Sequence, residues 1–283
     1  MNNSESRAAA RLRFFRIAAI IIAALSTIAS AVALLTSAEP GTRYLSLSAA
    51  TVAMYLTIAA SVVLAFSSLF LFKGQGIAAN ESQGFEITSA LPAVGALIVI
   101  VDRIASILPE GKPELVDVLL IITATLAALL PLAKLLHLSP TIKILAGYAQ
   151  IFFALIFISY LYLEPKVELN SPVKLLSQFA LAAVALSTLS DIRIMICRSM
   201  AGAYVFTKVC LASLAFSTAA ATVTAIATGA DKYPSAYLSA SLFALCYGVY
   251  ATAEFLKASI KIKSAQSEDV TKESETTPTE KDD

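Results

Sequence analysis

Lys208 lies inside a membrane-length apolar run, about eight residues or ~12 Å from where that run begins. An ionisable group in such a run marks a functional site by default, because burying its charge costs free energy that most helices avoid. At about 100° per residue, Lys208 shares a helical face with Ala201, Tyr204, Ala212, Ala215, Ala219 and Thr222. Small residues on that face let another helix approach closely, so the side chain is expected to face protein. Asp191, Arg193 and Arg198 sit in the charged turn just before this run. On the last apolar run Glu254 stacks with Tyr247 and Tyr250 at the spacing of one helical face. Gln178 is an amide in the run before Asp191. Together Lys208, Tyr204, Asp191, Gln178, Tyr250 and Glu254 form the candidate solute or partner site: one ammonium, two carboxylates, two phenols and an amide to orient a small polar or anionic solute. The competing reading makes them interfacial charges that answer one another, with Lys208 snorkelling to the water boundary.

Other polar groups invite plainer explanations. Asp102 and Arg103 lie near one end of their run, and Asp117 follows across the short PEGKPE turn, so an Arg103–Asp117 pair bridging a helical hairpin is expected. Glu164, Glu168 and Asn170 make an oxygen-rich link that does not match the calcium-loop spacing. Gln150 reads as an inter-helix hydrogen-bonding amide. Ala240, Ala244, Gly248 and Thr252 recur every fourth residue and form a packing stripe, used within the bundle or between two copies in a homodimer. Cys197, Cys210 and Cys246 lack disulfide or zinc spacing and read as small buried apolar residues. P-loop, dinucleotide-binding, HExxH and GxSxG patterns are missing, as are aromatic-interleaved basic clusters. With only His137 present, no histidine-based site is expected. Neither a catalytic set, a cofactor, a metal nor a nucleic-acid partner is therefore expected, and the enzyme reading ranks last.

The composition identifies the elements that must position these groups. The 283 residues are 58% hydrophobic and 14% charged, with mean hydropathy +0.77. A soluble domain carries about a quarter charged residues. Eight apolar runs fall at about 17–35, 45–72, 87–108, 115–136, 141–163, 173–192, 200–227 and 235–256. Each is close to the ~20 residues that cross a bilayer core as helix. They lack the period-two alternation of a barrel, and in lipid the backbone must satisfy itself, so helices are the only option. The expectation is an all-α membrane protein, a polytopic bundle of about eight transmembrane helices. A basic N-terminal segment (1–16) precedes the bundle (17–257), and a basic then acidic disordered tail (258–283) follows it. The 19-residue first run is longer than a signal peptide's apolar region and reads as an uncleaved span. The tail from Ser264 has too little apolar surface to order itself.

Cations flanking the runs divide twelve to six in favour of the side carrying the termini. The positive-inside bias then puts both termini in the cytoplasm and the chain in the cell membrane. The run ELNSPVKLLSQFALAAVALSTLSDIR with Arg198, Ala203 and Tyr204, above all Ser171-Pro172, Gln178 and Arg193, resembles a group of uncharacterised eight-span membrane proteins of Gram-positive anaerobic bacteria. The resemblance implies a multi-pass membrane setting and no particular activity. Binding or transport of a small polar solute is therefore the leading expectation; the alternative is a partner or sensory subunit of a larger complex.

Overall fold

The computed structural model describes residues 3–37, 45–78, 87–110, 113–136, 138–167, 171–196, 200–228 and 234–261. Eight helices account for nearly all of them: α1 (Asn3–Ser37), α2 (Ala49–Leu71), α3 (Ile87–Glu110), α4 (Leu115–Leu135), α5 (Pro140–Leu163), α6 (Pro172–Met195), α7 (Ala201–Ala227) and α8 (Ser235–Lys257). All eight are long and apolar enough to cross a membrane. The helix starts follow local chemistry. Ser48 caps α2 by accepting from the Thr51 N–H, and Pro140 and Pro172 open α5 and α6, where a missing N–H costs nothing.

Burial sorts the helices into a centre and a periphery. In α6, α7 and α8, 61–67% of the apolar span is buried, against 22–39% in α1–α5. α7 packs on α1, α2, α6 and α8, while α8 also packs on α3 and α6, and α3 to α6 follow one another around it. The larger core joins Phe153, Phe157, Val184, Leu211, Tyr237, Phe243 and Tyr247, with Phe153 edge-on to Phe243 at 5.0 Å. A smaller core lies at the end carrying the termini: Leu12, Phe15, Phe72, Ile77, Tyr204, Val205 and Phe255.

This smaller core explains two departures from the sequence reading. First, α1 does not begin at Ile17: helix runs unbroken from Asn3, through most of the segment expected to be a polar flank. Ala8, Leu12, Phe15 and Ala19 are buried at helical spacing, giving that basic segment an apolar stripe of its own. Second, a short antiparallel ribbon pairs β1 (Gly76–Ala78) with β2 (Ser259–Lys261), Ile77 opposite Ile260. Ser259–Lys261 thus belong to folded structure and not to the tail, and residues 262–283 lie outside those described. Arg16 fastens the corner by donating to Phe255 O at 3.1 Å and to Ala258 O.

The stripe Ala240, Ala244 and Gly248 is buried inside the chain. A Cβ on Gly248 would lie 2.6 Å from the Cβ of Ala215, so the stripe is where α8 meets α7. The homodimer through these residues is therefore excluded: the surface is already used. The α2–α7 crossing is tighter, for a Cβ on Gly202 would come within 2.9 Å of Leu69 Cα and Ser68 O. Backbone cannot yield as a flexible side chain can. Gly202→Ala is accordingly expected to destabilise the fold by ~1–3 kcal/mol, read as a lower detergent melting temperature, while Ala203→Ser, at the neighbouring half-buried position, stays near wild type.

Candidate functional site

The end of α6 and the beginning of α7 run antiparallel, which sets Asp191 beside Lys208. The Lys208 ammonium donates to Asp191 Oδ1 at 2.8 Å and to Ser187 Oγ at 2.8 Å. It also lies 5.1 Å from the centre of the Tyr204 ring, a cation–π contact. Lys208 is 1% exposed and Asp191 8%. Snorkelling is thereby excluded, since the charge is held inside by a carboxylate, a hydroxyl and a ring.

α4 and α8 close the site. Lys134, in the last turn of α4, lies 3.7 Å from Asp191 Oδ2 and donates to the Tyr250 hydroxyl at 2.7 Å. Tyr250 meets Tyr247 edge-on at 5.7 Å, and the Tyr247 hydroxyl pairs with Thr188 Oγ1 at 2.8 Å. Four helices thus converge on one carboxylate shared by two ammonium groups. Glu254, half-buried on α8, lies within electrostatic reach of Lys208 and Tyr204.

Five of the six expected residues are therefore brought together: Lys208, Tyr204, Asp191, Tyr250 and Glu254. Gln178 is not among them. It sits thirteen residues before Asp191 on α6, about 20 Å along the axis. It lines a cleft of ~320 Å³ with Ile158, Ser159, Tyr162 and Leu163 near the other end of α5. Arg198, Cys197 and His137 lie outside the described residues. Lys134 is the member that sequence reasoning missed. Hydropathy shows it as an ordinary flanking cation, and its hydroxyl partner is 116 positions away.

A second ionic network occupies the opposite end. Arg103, 3% exposed, reaches Asp102 at 2.5 Å, Asp117 at 3.4 Å and the Tyr160 hydroxyl at 2.6 Å. Ser239 donates to the same Asp102 oxygen at 2.8 Å. The expected Arg103–Asp117 bridge of the α3–α4 hairpin is present, extended to α5 and α8. Nearby, the buried Lys174 ammonium donates to Glu164 O at 3.0 Å and Val167 O at 2.9 Å, satisfying carbonyls where α5 ends.

Eight helices long and apolar enough to cross a membrane, two buried ionic networks among them, define a multi-pass helical membrane protein. No family model matches the chain, nor does any curated protein or solved structure.

The sharing of Asp191 orders the effects of substitution. Lys208→Met leaves Asp191 with Lys134, whereas Asp191→Asn leaves the buried Lys208 and the half-buried Lys134 facing a neutral amide. Breaking a buried pair on one side costs ~3–5 kcal/mol. Asp191→Asn is expected to approach that range and Lys208→Met to fall below it. The double variant should be milder than Asp191→Asn alone. Detergent-melt double-mutant cycles check this order; equal losses for both single variants would deny that Lys134 shares the carboxylate.

Proposed function

We propose that this multi-pass protein is a partner or sensory subunit of a larger assembly in the cell membrane, with both termini cytoplasmic. The observation that carries this reading is the sealing of Lys208. Its ammonium is fully engaged by Asp191, Ser187 and the Tyr204 ring in a packed core. A charge held this way joins helices and presents nothing to a solute.

Solute binding is the second reading, favoured by one feature. Asp191 Oδ2 has no hydrogen-bond donor among the described residues, and the Lys134 side chain beside it is 21% exposed. A small polar solute entering from the end carrying the termini would meet those two groups first.

Orientation draws support from where the exposed cations lie. Arg7, Arg11, Arg13, Lys73, Arg193 and Lys257 are exposed at the end carrying the termini. At the other end Arg103 and Lys174 are buried, leaving Lys166 as the exposed cation among the described residues.

Two measurements test these proposals. Impermeant maleimide should label cysteines introduced at Asp231 and at Lys261 from opposite faces; labelling from one face rejects eight crossings. Gently solubilised from its native membrane, the chain should migrate with a stoichiometric partner, and thermal-shift screening of small polar and anionic metabolites should give no response. Migration as the bare chain, with a saturable shift lost in Lys208→Met but kept in Arg193→Gln, would establish solute binding instead.

A further inference from the structure

We infer that the cleft between the end of α5 and the start of α6 binds a diacyl glycerolipid, with the Gln178 amide bonded to an ester carbonyl of that lipid. The inference is independent of the partner and solute readings, because the cleft and the Asp191 network share no residue and lie toward opposite ends of α6.

The cleft is held at a defined depth. From the first turn of α6 the buried Lys174 ammonium donates to Glu164 O and Val167 O, just beyond α5, and so ties the two helix ends together. Inward from this tie, Ile158, Ser159, Tyr162, Leu163 and Gln178 line the ~320 Å³ of the cleft. α5 and α6 have 24 residues each, about 36 Å of helix against a hydrocarbon core of about 30 Å. With the helices centred in the bilayer, Tyr162 in the last turn of α5 stands at the hydrocarbon boundary. The Gln178 backbone is six residues into α6, about 9 Å along the axis and so about 6 Å inside that boundary. Helical side chains lean toward the helix N-terminus, here the near membrane surface, so the amide stands closer to the boundary than its Cα. That is the level at which the ester linkages of a glycerolipid give way to its acyl chains.

The lining asks for a hydrogen-bond acceptor. Leu163 and Tyr162 are 71% and 55% exposed, so the cleft opens sideways onto lipid. Gln178 Nε2 is buried and has no acceptor among the described residues. An unmatched N–H at this depth is costly, because neither acyl chains nor apolar side chains can accept from it. Which end of an amide turns toward an opening is set by what it can bond there. The Ser159 hydroxyl is already donated to Leu155 O at 3.0 Å, which leaves Gln178 and Tyr162 as the donors of the lining. An ester carbonyl accepts without needing a donor in return, and the acyl chain below it covers Ile158. A mostly apolar concavity with a few convergent polar groups is the ordinary form of a small-ligand site.

The test titrates the full chain in detergent with two phosphatidylcholines of equal chain length, one ester-linked and one ether-linked, read by native mass spectrometry. The ether lipid keeps the headgroup, charge and chains and lacks only the carbonyls. Wild type should bind the ester lipid about fivefold more tightly, the worth of one hydrogen bond made within a bilayer. Gln178→Leu should bring the two lipids to within about twofold of each other. Tyr148→Phe, on the exposed face of α5 nearer its other end, should keep the wild-type preference. An unchanged melting temperature in the ether lipid shows that Gln178→Leu folds; should it not, Tyr162→Phe at its exposed position must itself lower the preference by about twofold or more. Equal binding of ester and ether lipids by wild type overturns the inference, as does a preference that survives in Gln178→Leu or is lost in Tyr148→Phe. A protein that copurifies with wild type and is lost in Gln178→Leu, while wild type binds both lipids equally, would give the cleft to a partner helix and overturn it too.

Discussion

A single carboxylate in an apolar bundle dictates how four helices meet. Asp191 cannot remain ionised in a medium of low dielectric constant unless opposite charge and hydrogen-bond donors surround it. The chain supplies Lys208 from α7 and Lys134 from α4, with Tyr250 of α8 bound to Lys134. Sliding any of these helices by one turn, about 5.4 Å, would leave a bare charge in hydrocarbon. Apolar contacts alone set no such register, because lipid tails are as apolar as the side chains that would slide past them. The ionic contacts therefore specify where the helices stand, and the small residues decide how closely.

Arg103 imposes the same constraint at the other end, and two helices serve both networks. α4 contributes Asp117 to one and Lys134 to the other; α8 contributes Ser235 and Ser239 to one and Tyr250 to the other. Their length between the two networks is thereby held, and α7 packs on the fixed face of α8 through Ala215 and Gly248. The α1 and α2 helices join by different means. α1 meets α7 through hydroxyls, Ser26 bonding Ser213 at 3.1 Å and Ser217 at 2.9 Å, and α2 meets it through the Gly202 backbone, whose carbonyl accepts from Ser68. The α1–α7 and α2–α7 contacts named here are thus neutral, whereas Arg103 and Asp191 join α3 to α8 through charge.

How much of this was legible in the sequence depended on how far apart the interacting residues lie along the chain. The eight spans were legible because apolarity over about twenty residues is a local property. Asp191 and Lys208 were placed in one candidate site because they flank one short link between antiparallel spans, although the sequence did not separate Asp191 from Glu254 as the partner of Lys208. Lys134 was not: nothing local distinguishes a cation that turns inward to a distant tyrosine from one that faces water. Gln178 was grouped with the site for its chemistry, although its distance from Asp191 along α6 already separated them. The stripe Ala8, Leu12, Phe15 and Ala19 was present in the sequence, but three arginines among those residues lowered the hydropathy and masked the period. The β1–β2 ribbon joins segments from opposite parts of the chain, and no short-range signal encodes that pairing.

The sorting of cations links the two scales. A basic residue near the end of a span has three fates here: Arg103, Lys208 and Lys134 meet carboxylates, Lys174 and Arg16 meet carbonyls at helix ends, and Arg11, Arg13, Lys73, Arg193 and Lys257 remain at the surface. Only the last group acts on the membrane's surroundings, because a neutralised buried charge projects little field beyond its partner. Counting cations by sequence position mixes the three fates. The internal networks thus do more than set helix register. With Arg103 and Lys174 buried at one end, the exposed cations of the described residues lie mostly at the end where α1 begins and α8 stops.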